Sequence, residues 1–129
     1  MPDYTHTVRV DAAPDEAFAV LSEPANLPRY VATMVEAEAE PGDRLHVAAD
    51  VEGRHEEGEA RLTTDRDART MEWSGPGHGA YHGRLQVDAD GNAALVTIRI
   101  HVERDADEAE IERALAETAA NVERLVAAR

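Results

Sequence analysis

The amino-acid sequence predicts an α+β domain: a curved antiparallel sheet of about seven strands, two short N-terminal helices and one long C-terminal helix. Three observations predict it. Residues 8–31 join an alternating strand to two proline-started helices. Turn residues then divide residues 35–102 into strand-length intervals, and residues 105–129 form an uninterrupted amphipathic helix. Because 129 residues suffice to bury one core, we expect a single domain over residues 1–129. Such an arrangement often encloses an apolar cavity.

The first strand is predicted by the alternation over residues 4–10. Tyr4, His6, Val8 and Val10 share one face, and the residues between them are Thr or Arg. Successive side chains of a strand point to opposite faces, so this pattern indicates a half-buried strand.

Two prolines start the two predicted helices that follow. Pro14 suits the first helical position, where its missing N–H is not needed, and the two acidic residues after it favour the positive end of the helix. This helix should end near Ser22, because Pro24 disfavours helical angles at the residue before it. Pro28 can start a second short helix that includes Tyr30. We expect the two helices to form a bent brace.

The middle of the chain is punctuated by turn residues, which predicts an antiparallel meander. The turn sequences are PGD at 41–43, EGR at 52–54, DRDAR at 65–69, GPGHG at 75–79 and DADGN at 88–92. Apolar residues alternate within each interval and define the inner face of the sheet. They are Leu45, Val47, Ala49 and Val51; Gly58, Ala60 and Leu62; Met71 and Trp73; Tyr81, Leu85 and Val87; and Val96, Ile98, Ile100 and Val102.

The Asp-Gly dipeptide at 90–91 is the strongest hairpin signal. A type I′ turn needs positive φ at both central residues, which Asp tolerates and Gly accepts freely. This turn pairs Ala89 with Asn92, so that His82 falls opposite Arg99 on the face away from the apolar residues. The same register places Arg84 opposite Thr97.

The C-terminal helix is predicted over residues 105–129, with Asp105 as its cap and Glu108 as its third residue. Its apolar positions recur every three or four residues, which is typical of a helix that faces a core. They are Ile111, Leu115, Thr118, Val122 and Leu125 or Val126.

The charge of the chain excludes some partners. It has 27 acidic and 13 basic residues, all of the latter Arg, and a net charge of -14. Such a surface repels nucleic acid and anionic lipid heads. The chain has no Cys, which fits a reducing compartment, and no segment long enough to span a membrane. We therefore expect a cytoplasmic protein.

Two interpretations of the acidic composition remain open. A GC-rich genome favours Ala, Arg, Gly and Asp codons over Lys codons. Adaptation to high salt is the alternative, because a Debye length of about 3 Å at 1 M would suppress the self-repulsion. Only the second interpretation predicts a melting temperature that rises in molar KCl.

The opening segment resembles that of a known superfamily. The stretch VRVDAAPDEAFAVLSEPANLPRYV at residues 8–31 resembles START-like (SRPBCC) proteins, particularly the polyketide cyclase/dehydrase branch. The matching residues are Val10, Ala13, Pro14, Phe18, Leu21, Pro24, Leu27, Pro28 and Tyr30. The resemblance implies a helix-grip fold, in which the sheet grips the C-terminal helix around a cavity for apolar or amphipathic molecules. One departure is that the plant allergen-type members have a Gly-rich loop where this chain has only PGD.

Most catalytic motifs are absent from the sequence. His78 and His82 are four residues apart but flank a hairpin glycine, so they lack the helical geometry that zinc ligation at this spacing needs. We expect no metal and no cofactor. Nucleophilic catalysis is poorly supported, because the chain lacks Cys and its two Ser have no motif context. Four residues of the sheet suggest an acid–base cluster, but their outward parity favours ordinary solvent exposure: His82, Arg84, Arg99 and His101.

The predicted binding site consists of inward-facing residues. Aromatic residues with one polar tip suit a mostly apolar pocket, although they can equally fill a core. His6 is inward by parity and is the one imidazole expected near the cavity. The residues predicted to line the site are Tyr30, Trp73, Tyr81, Leu85, Ile98, Leu115, Thr118 and Val122.

Three functions remain open from the sequence. The first is binding of a small hydrophobic or amphipathic molecule such as a lipid, quinone or polyketide, with no reaction assigned. The second is a cyclase or dehydratase in which Tyr30, Tyr81 or His6 transfers a proton. The third is an acidic interaction or regulatory module. The oligomeric state is open too, since an edge strand could pair across a dimer axis.

Overall fold

The computed structural model describes residues 3–31, 34–42, 44–51, 54–74, 81–102 and 108–128. Seven antiparallel strands form one curved open sheet accompanied by three helices, which confirms the predicted helix-grip fold. The elements in chain order are β1 (Asp3–Val10), α1 (Pro14–Leu21), a 3₁₀ turn (Pro24–Asn26), α2 (Leu27–Tyr30), β2 (Met34–Ala39), β3 (Arg44–Val51), β4 (Arg54–Asp65), β5 (Thr70–Ser74), β6 (Tyr81–Asp90), β7 (Ala93–Val102) and α3 (Glu108–Ala127).

The strand order across the sheet is β1-β7-β6-β5-β4-β3-β2. Six strands therefore form a meander, and β1 returns to pair with the last of them. The two edge strands, β1 and β2, are joined by the segment that contains α1 and α2. No helix in the described parts of the chain is long and apolar enough to cross a membrane.

The core lies between the inner face of the sheet and the helices. Alternating residues of β1 behave as predicted: Tyr4 and Val10 are buried, whereas Thr5, Thr7 and Arg9 are exposed. Helix α3 packs against β1, α1 and α2, and α1 packs against β6 and β7. The buried cluster includes Phe18 and Leu21 of α1, Met71, Leu85, Val87, Val96 and Ile98 of the sheet, and Leu115, Val122 and Val126 of α3.

The C-terminal end of α1 is closed by side chains from the residues that follow it. Nδ2 of Asn26 donates to the carbonyl oxygen of Val20 at 2.9 Å, and the Tyr30 hydroxyl donates to the carbonyl oxygen of Leu21 at 2.7 Å. The last carbonyls of a helix have no partners within that helix. These two bonds therefore satisfy acceptors that burial would leave unpaired, and they set the bend between α1 and α2.

The β6–β7 hairpin corrects the predicted register by two residues. Asp90 pairs with Ala93, so Gly91 and Asn92 form the loop. Gly91 has a φ of 60° and Asn92 has no positive φ, which fits a type II′ turn and not the predicted type I′ turn. The predicted faces survive, because a shift of two residues keeps every side chain on its own side of the sheet.

The corrected register changes the neighbours of the outward-facing residues. His82 lies opposite His101, and Arg84 lies opposite Arg99. The prediction had paired His82 with Arg99 and Arg84 with Thr97. The predicted cap Asp105 and the GPGHG turn at 75–79 lie outside the described residues.

We expect Leu85→Ala to lower the free energy of unfolding by about 2–5 kcal/mol, because it opens a cavity at a fully buried position of β6. Urea denaturation measures the change. Leu95→Ala is the matched control, since Leu95 of β7 is only partly buried and should show a smaller loss. Equal losses at the two positions would contradict the assignment of inner and outer faces.

Candidate functional site

The predicted binding residues on β6, β7 and α3 lie together in the core. Leu85 and Val122 have 0% exposed surface, and Ile98 and Leu115 have 2% and 4%. Thr118 of α3 is buried as well. An exposure of 0% means that water reaches a side chain neither from outside nor from an internal cavity. A ligand would therefore contact Leu85 and Val122 only after α1 or α3 had moved away from the sheet.

Tyr30 is buried at the junction of the three helices. Its hydroxyl is occupied by the carbonyl oxygen of Leu21, and its own carbonyl oxygen accepts a hydrogen bond from Nδ2 of Asn121 on α3 at 3.3 Å. Burial raises the pKa of the Tyr30 phenol far above its usual value, so the hydroxyl keeps its proton. In this arrangement Tyr30 connects α1, α2 and α3.

Trp73 is a predicted site residue whose large aromatic side chain is only partly buried. It packs against the core from β5 and pairs with Gly83 of β6. A Cβ atom at position 83 would overlap Cζ2 of the indole ring, so the ring lies directly against the backbone there. Only glycine permits this approach. No local sequence pattern indicated the pair, because the two residues belong to different strands.

His6 and Tyr81 are the two remaining residues that the sequence predicted near the cavity. His6 is half-buried on β1, opposite Ile98 of β7, as its parity predicted. The side chain of Tyr81, at the start of β6, lies outside the described residues. Among the described residues of the inner face, Trp73 and His6 are therefore the two partly exposed rings that contain a nitrogen atom.

A cavity of about 400 Å³ opens between the end of α1, the β2–β3 turn and the far end of β4. Leu45 and Leu62 provide its apolar wall, and Leu62 lies opposite Trp73 in the β4–β5 register. Its polar wall consists of Ser22, Glu40, Arg44, Thr64 and Arg66. Oε1 of Glu40 is buried and has no hydrogen-bond partner among the described residues. No local pattern in the sequence indicated this cavity, because its walls come from separate elements.

A second concavity, of about 820 Å³, is lined mostly by outward-facing residues of the sheet and also by Trp73 and Gly83. Five of its lining side chains can be positively charged, and we call them the outer cluster: Arg61, Arg84, Arg99, His82 and His101. The prediction that His82, Arg84, Arg99 and His101 face outward is confirmed. The addition of Arg61 was missed, because it depends on the registers of three strand pairs.

The side-chain carboxylates of Asp3 and Glu72 also line this concavity, and each accepts a hydrogen bond from a member of the outer cluster. Oδ1 of Asp3 accepts a hydrogen bond from Nδ1 of His101 at 2.6 Å, and Glu72 accepts one from Arg84 at 3.1 Å. The bond from His101 is the main cause that holds the pKa of Asp3 below its usual value. An ionised carboxylate only accepts hydrogen bonds, so Nδ1 of His101 holds its proton. The rings of His82 and His101 are stacked, with centroids 4.7 Å apart.

The described residues contain no group of three or more His, Asp or Glu side chains placed to hold a metal ion. Within them, the chemistry that the structure offers is apolar contact on the inner face and charge recognition on the outer face.

Comparison with known families gives a match over nearly the whole chain. The family described as "Polyketide cyclase / dehydrase and lipid transport" matches residues 1–128. Comparison with curated proteins gives no match.

Several solved structures are similar to this one. The ZhuI aromatase/cyclase of Streptomyces sp. R1128 superposes with a TM-score of 0.80 at 18% identity, over 97% of this chain and 93% of that one. The protein TTHA0849 of Thermus thermophilus gives a TM-score of 0.78 at 16% identity, over 98% of both chains. The di-domain aromatase/cyclase BexL gives 0.73 at 24% identity; 98% of this chain spans 46% of that protein, about half its length. These identities establish the shared fold alone.

We expect Tyr30→Phe to destabilise the domain by about 1–3 kcal/mol, because it leaves the buried carbonyl of Leu21 without a partner. Urea denaturation measures the loss. Tyr4→Phe removes the same atom from a residue whose hydroxyl makes no hydrogen bond among the described residues, so it should cost less. If Tyr4→Phe costs as much, the hydrogen bond to Leu21 is not the cause.

We expect Gly83→Ala to destabilise the domain by about 1–3 kcal/mol, because the new methyl group displaces the ring of Trp73. Trp73 is the only tryptophan, so its emission maximum reports the displacement directly. The same substitution in a Trp73→Ala background is the control and should cost much less. Equal costs in both backgrounds would show that the contact with Trp73 is not responsible.

Proposed function

The chain belongs to the polyketide cyclase/dehydrase and lipid transport family, and from this premise we propose that it binds a small hydrophobic or amphipathic molecule between the sheet and α3. The residues proposed to contact the molecule are those predicted from the sequence: Tyr30, Trp73, Tyr81, Leu85, Ile98, Leu115, Thr118 and Val122. The proposed partner is an apolar compound such as a lipid, a quinone or a polyketide.

The position of Trp73 is the observation on which this proposal rests. A large aromatic ring on the inner face is only partly covered by the core, and one of its edges lies against the backbone of Gly83. Partly exposed aromatic rings favour contact with apolar or aromatic ligands, because they offer a large rigid surface. Ligand binding would complete the burial of this ring.

The neighbouring cavity supports an amphipathic ligand in particular. Leu62 lies opposite Trp73 and also lines the 400 Å³ cavity, so an apolar surface connects the two. Arg44 and Arg66 at the cavity could bind an acidic head group, while the apolar part of the molecule lies toward Trp73. Volumes of about 300–1,000 Å³ are usual for small-molecule sites.

A cyclase or dehydratase is the second candidate, and the position of His6 favours it. His6 is half-buried on the inner face, where an imidazole can transfer protons near neutral pH. The Tyr30 hydroxyl is bound to the Leu21 carbonyl, so proton transfer in this candidate is assigned to His6 or Tyr81. Three similar structures are of proteins described as aromatase/cyclases.

The test uses Trp73 as the reporter. We expect a medium-chain fatty acid, a naphthoquinone or an aromatic polyketide to change its fluorescence saturably, with one-to-one complexes in native mass spectrometry. Trp73→Ala removes the only tryptophan, so its affinity is measured by titration in native mass spectrometry. Binding should weaken by about tenfold, as expected for the loss of one aromatic contact.

Leu95→Ala is the control variant for this experiment, since Leu95 is outside the proposed site, and its affinity should match that of the unmodified protein. Absence of a complex with all three compound classes would contradict the proposal. For the second candidate, a His6→Gln variant that binds normally and still converts a cyclisable polyketide would exclude His6 from the chemistry.

A further inference from the structure

The outer cluster places residues of the same type opposite each other. Arg84 lies opposite Arg99 on adjacent strands, and His82 lies opposite His101 with the two rings stacked. Like charges placed directly opposite each other destabilise a sheet. The chain has 27 acidic residues, yet no acidic residue stands opposite Arg84 or Arg99 in this strand pair. Such local violations are characteristic of functional surfaces.

The two carboxylates described in this concavity bond to Arg84 and His101 and not to Arg99. Glu72 bonds to Arg84, and Asp3 bonds to His101. Arg99 forms no hydrogen bond or salt bridge with another of the described residues, although its charge acts on Asp3. Among the described residues the concavity therefore holds a guanidinium group that no carboxylate bonds, on a molecule with a net charge of -14.

The shape and setting of the outer cluster favour a small ligand. Its concavity of about 820 Å³ is comparable to small-molecule sites of about 300–1,000 Å³. An extended polyanion such as a nucleic acid would meet the acidic remainder of the surface and be repelled. A compact anion stays within about one Debye length, ~8–10 Å, of the arginines, and solvent ions screen the more distant charges.

The side chains define the chemistry of that anion. The planar guanidinium groups of Arg61, Arg84 and Arg99 present paired N–H donors that match the oxygens of a carboxylate or a phosphate. We propose that the outer cluster binds a compact polyvalent anion bearing carboxylate or phosphate groups. The arginines and histidines of this site lie outward on the sheet, and its concavity also reaches Trp73 and Gly83 of the proposed apolar site. The two proposals differ in the ligand, because this one requires an anion and the other an apolar compound.

Inorganic phosphate and citrate are the probes, each titrated at constant ionic strength with chloride as the background anion. The imidazole signals of His82 and His101, followed by NMR, should shift saturably with a Kd of about 1 mM or tighter for at least one probe. The relative affinity of the two probes distinguishes phosphate from carboxylate recognition. Arg99→Gln should weaken binding by about tenfold, because hydrogen bonds to charged groups are among the stronger ones.

Arg29→Gln is the charge-matched control, because Arg29 is exposed on α2 and does not line the concavity. Its Kd should equal that of the unmodified protein. Arg61→Gln provides a second test from a different strand and should also weaken binding. The proposal is overturned if neither probe shifts the two imidazoles saturably, or if Arg29→Gln weakens binding as much as Arg99→Gln does.

Discussion

The packing of α3 and α1 against one face of the sheet is the constraint on which the rest of the structure depends. Val122 and Leu115 of α3 and Leu85 and Ile98 of the sheet are buried in one apolar cluster. Side chains alternate between the two faces of every strand. Because the helices cover one face, the side chains of the other face are exposed to solvent. Among the described residues, the buried side chains of the strands are all apolar, and the charged side chains of the outer cluster lie on the other face.

This packing limits how the domain can bind an apolar ligand. The centre of the core is closed to water, because Leu85 and Val122 have no exposed surface. Trp73 and Leu62 lie at the partly buried margin of the same face. A ligand can reach the margin without disturbing α3, whereas deeper binding requires α1 or α3 to move. The bonds of Tyr30 to α1 and of Asn121 to Tyr30 oppose such a movement near α2.

The outer face follows a different rule, because solvent tolerates any polar residue there and packing does not select among them. Hydrogen bonds between strands nevertheless fix which outward residues are neighbours. The pairing of Arg84 with Arg99 and of His82 with His101 follows from the β6–β7 register alone. Packing does not select the residues of the outer face, yet the strand register brings these arginines and histidines together there. This arrangement fits a role in recognition.

The sequence by itself determined the fold class, the two faces of the strands, the proline-started helices and the apolar stripe of α3, because hydrophobic periodicity and proline geometry are local properties. Periodicity could not determine the β6–β7 register, since a slip of two residues leaves both faces unchanged. Only the tertiary structure decided that the Tyr30 hydroxyl caps α1, that Trp73 lies against Gly83, and that Arg61 joins the histidines of β6 and β7. Each of these contacts joins residues from different elements, and their distance depends on the bend between helices or on the register between strands, which no local pattern encodes.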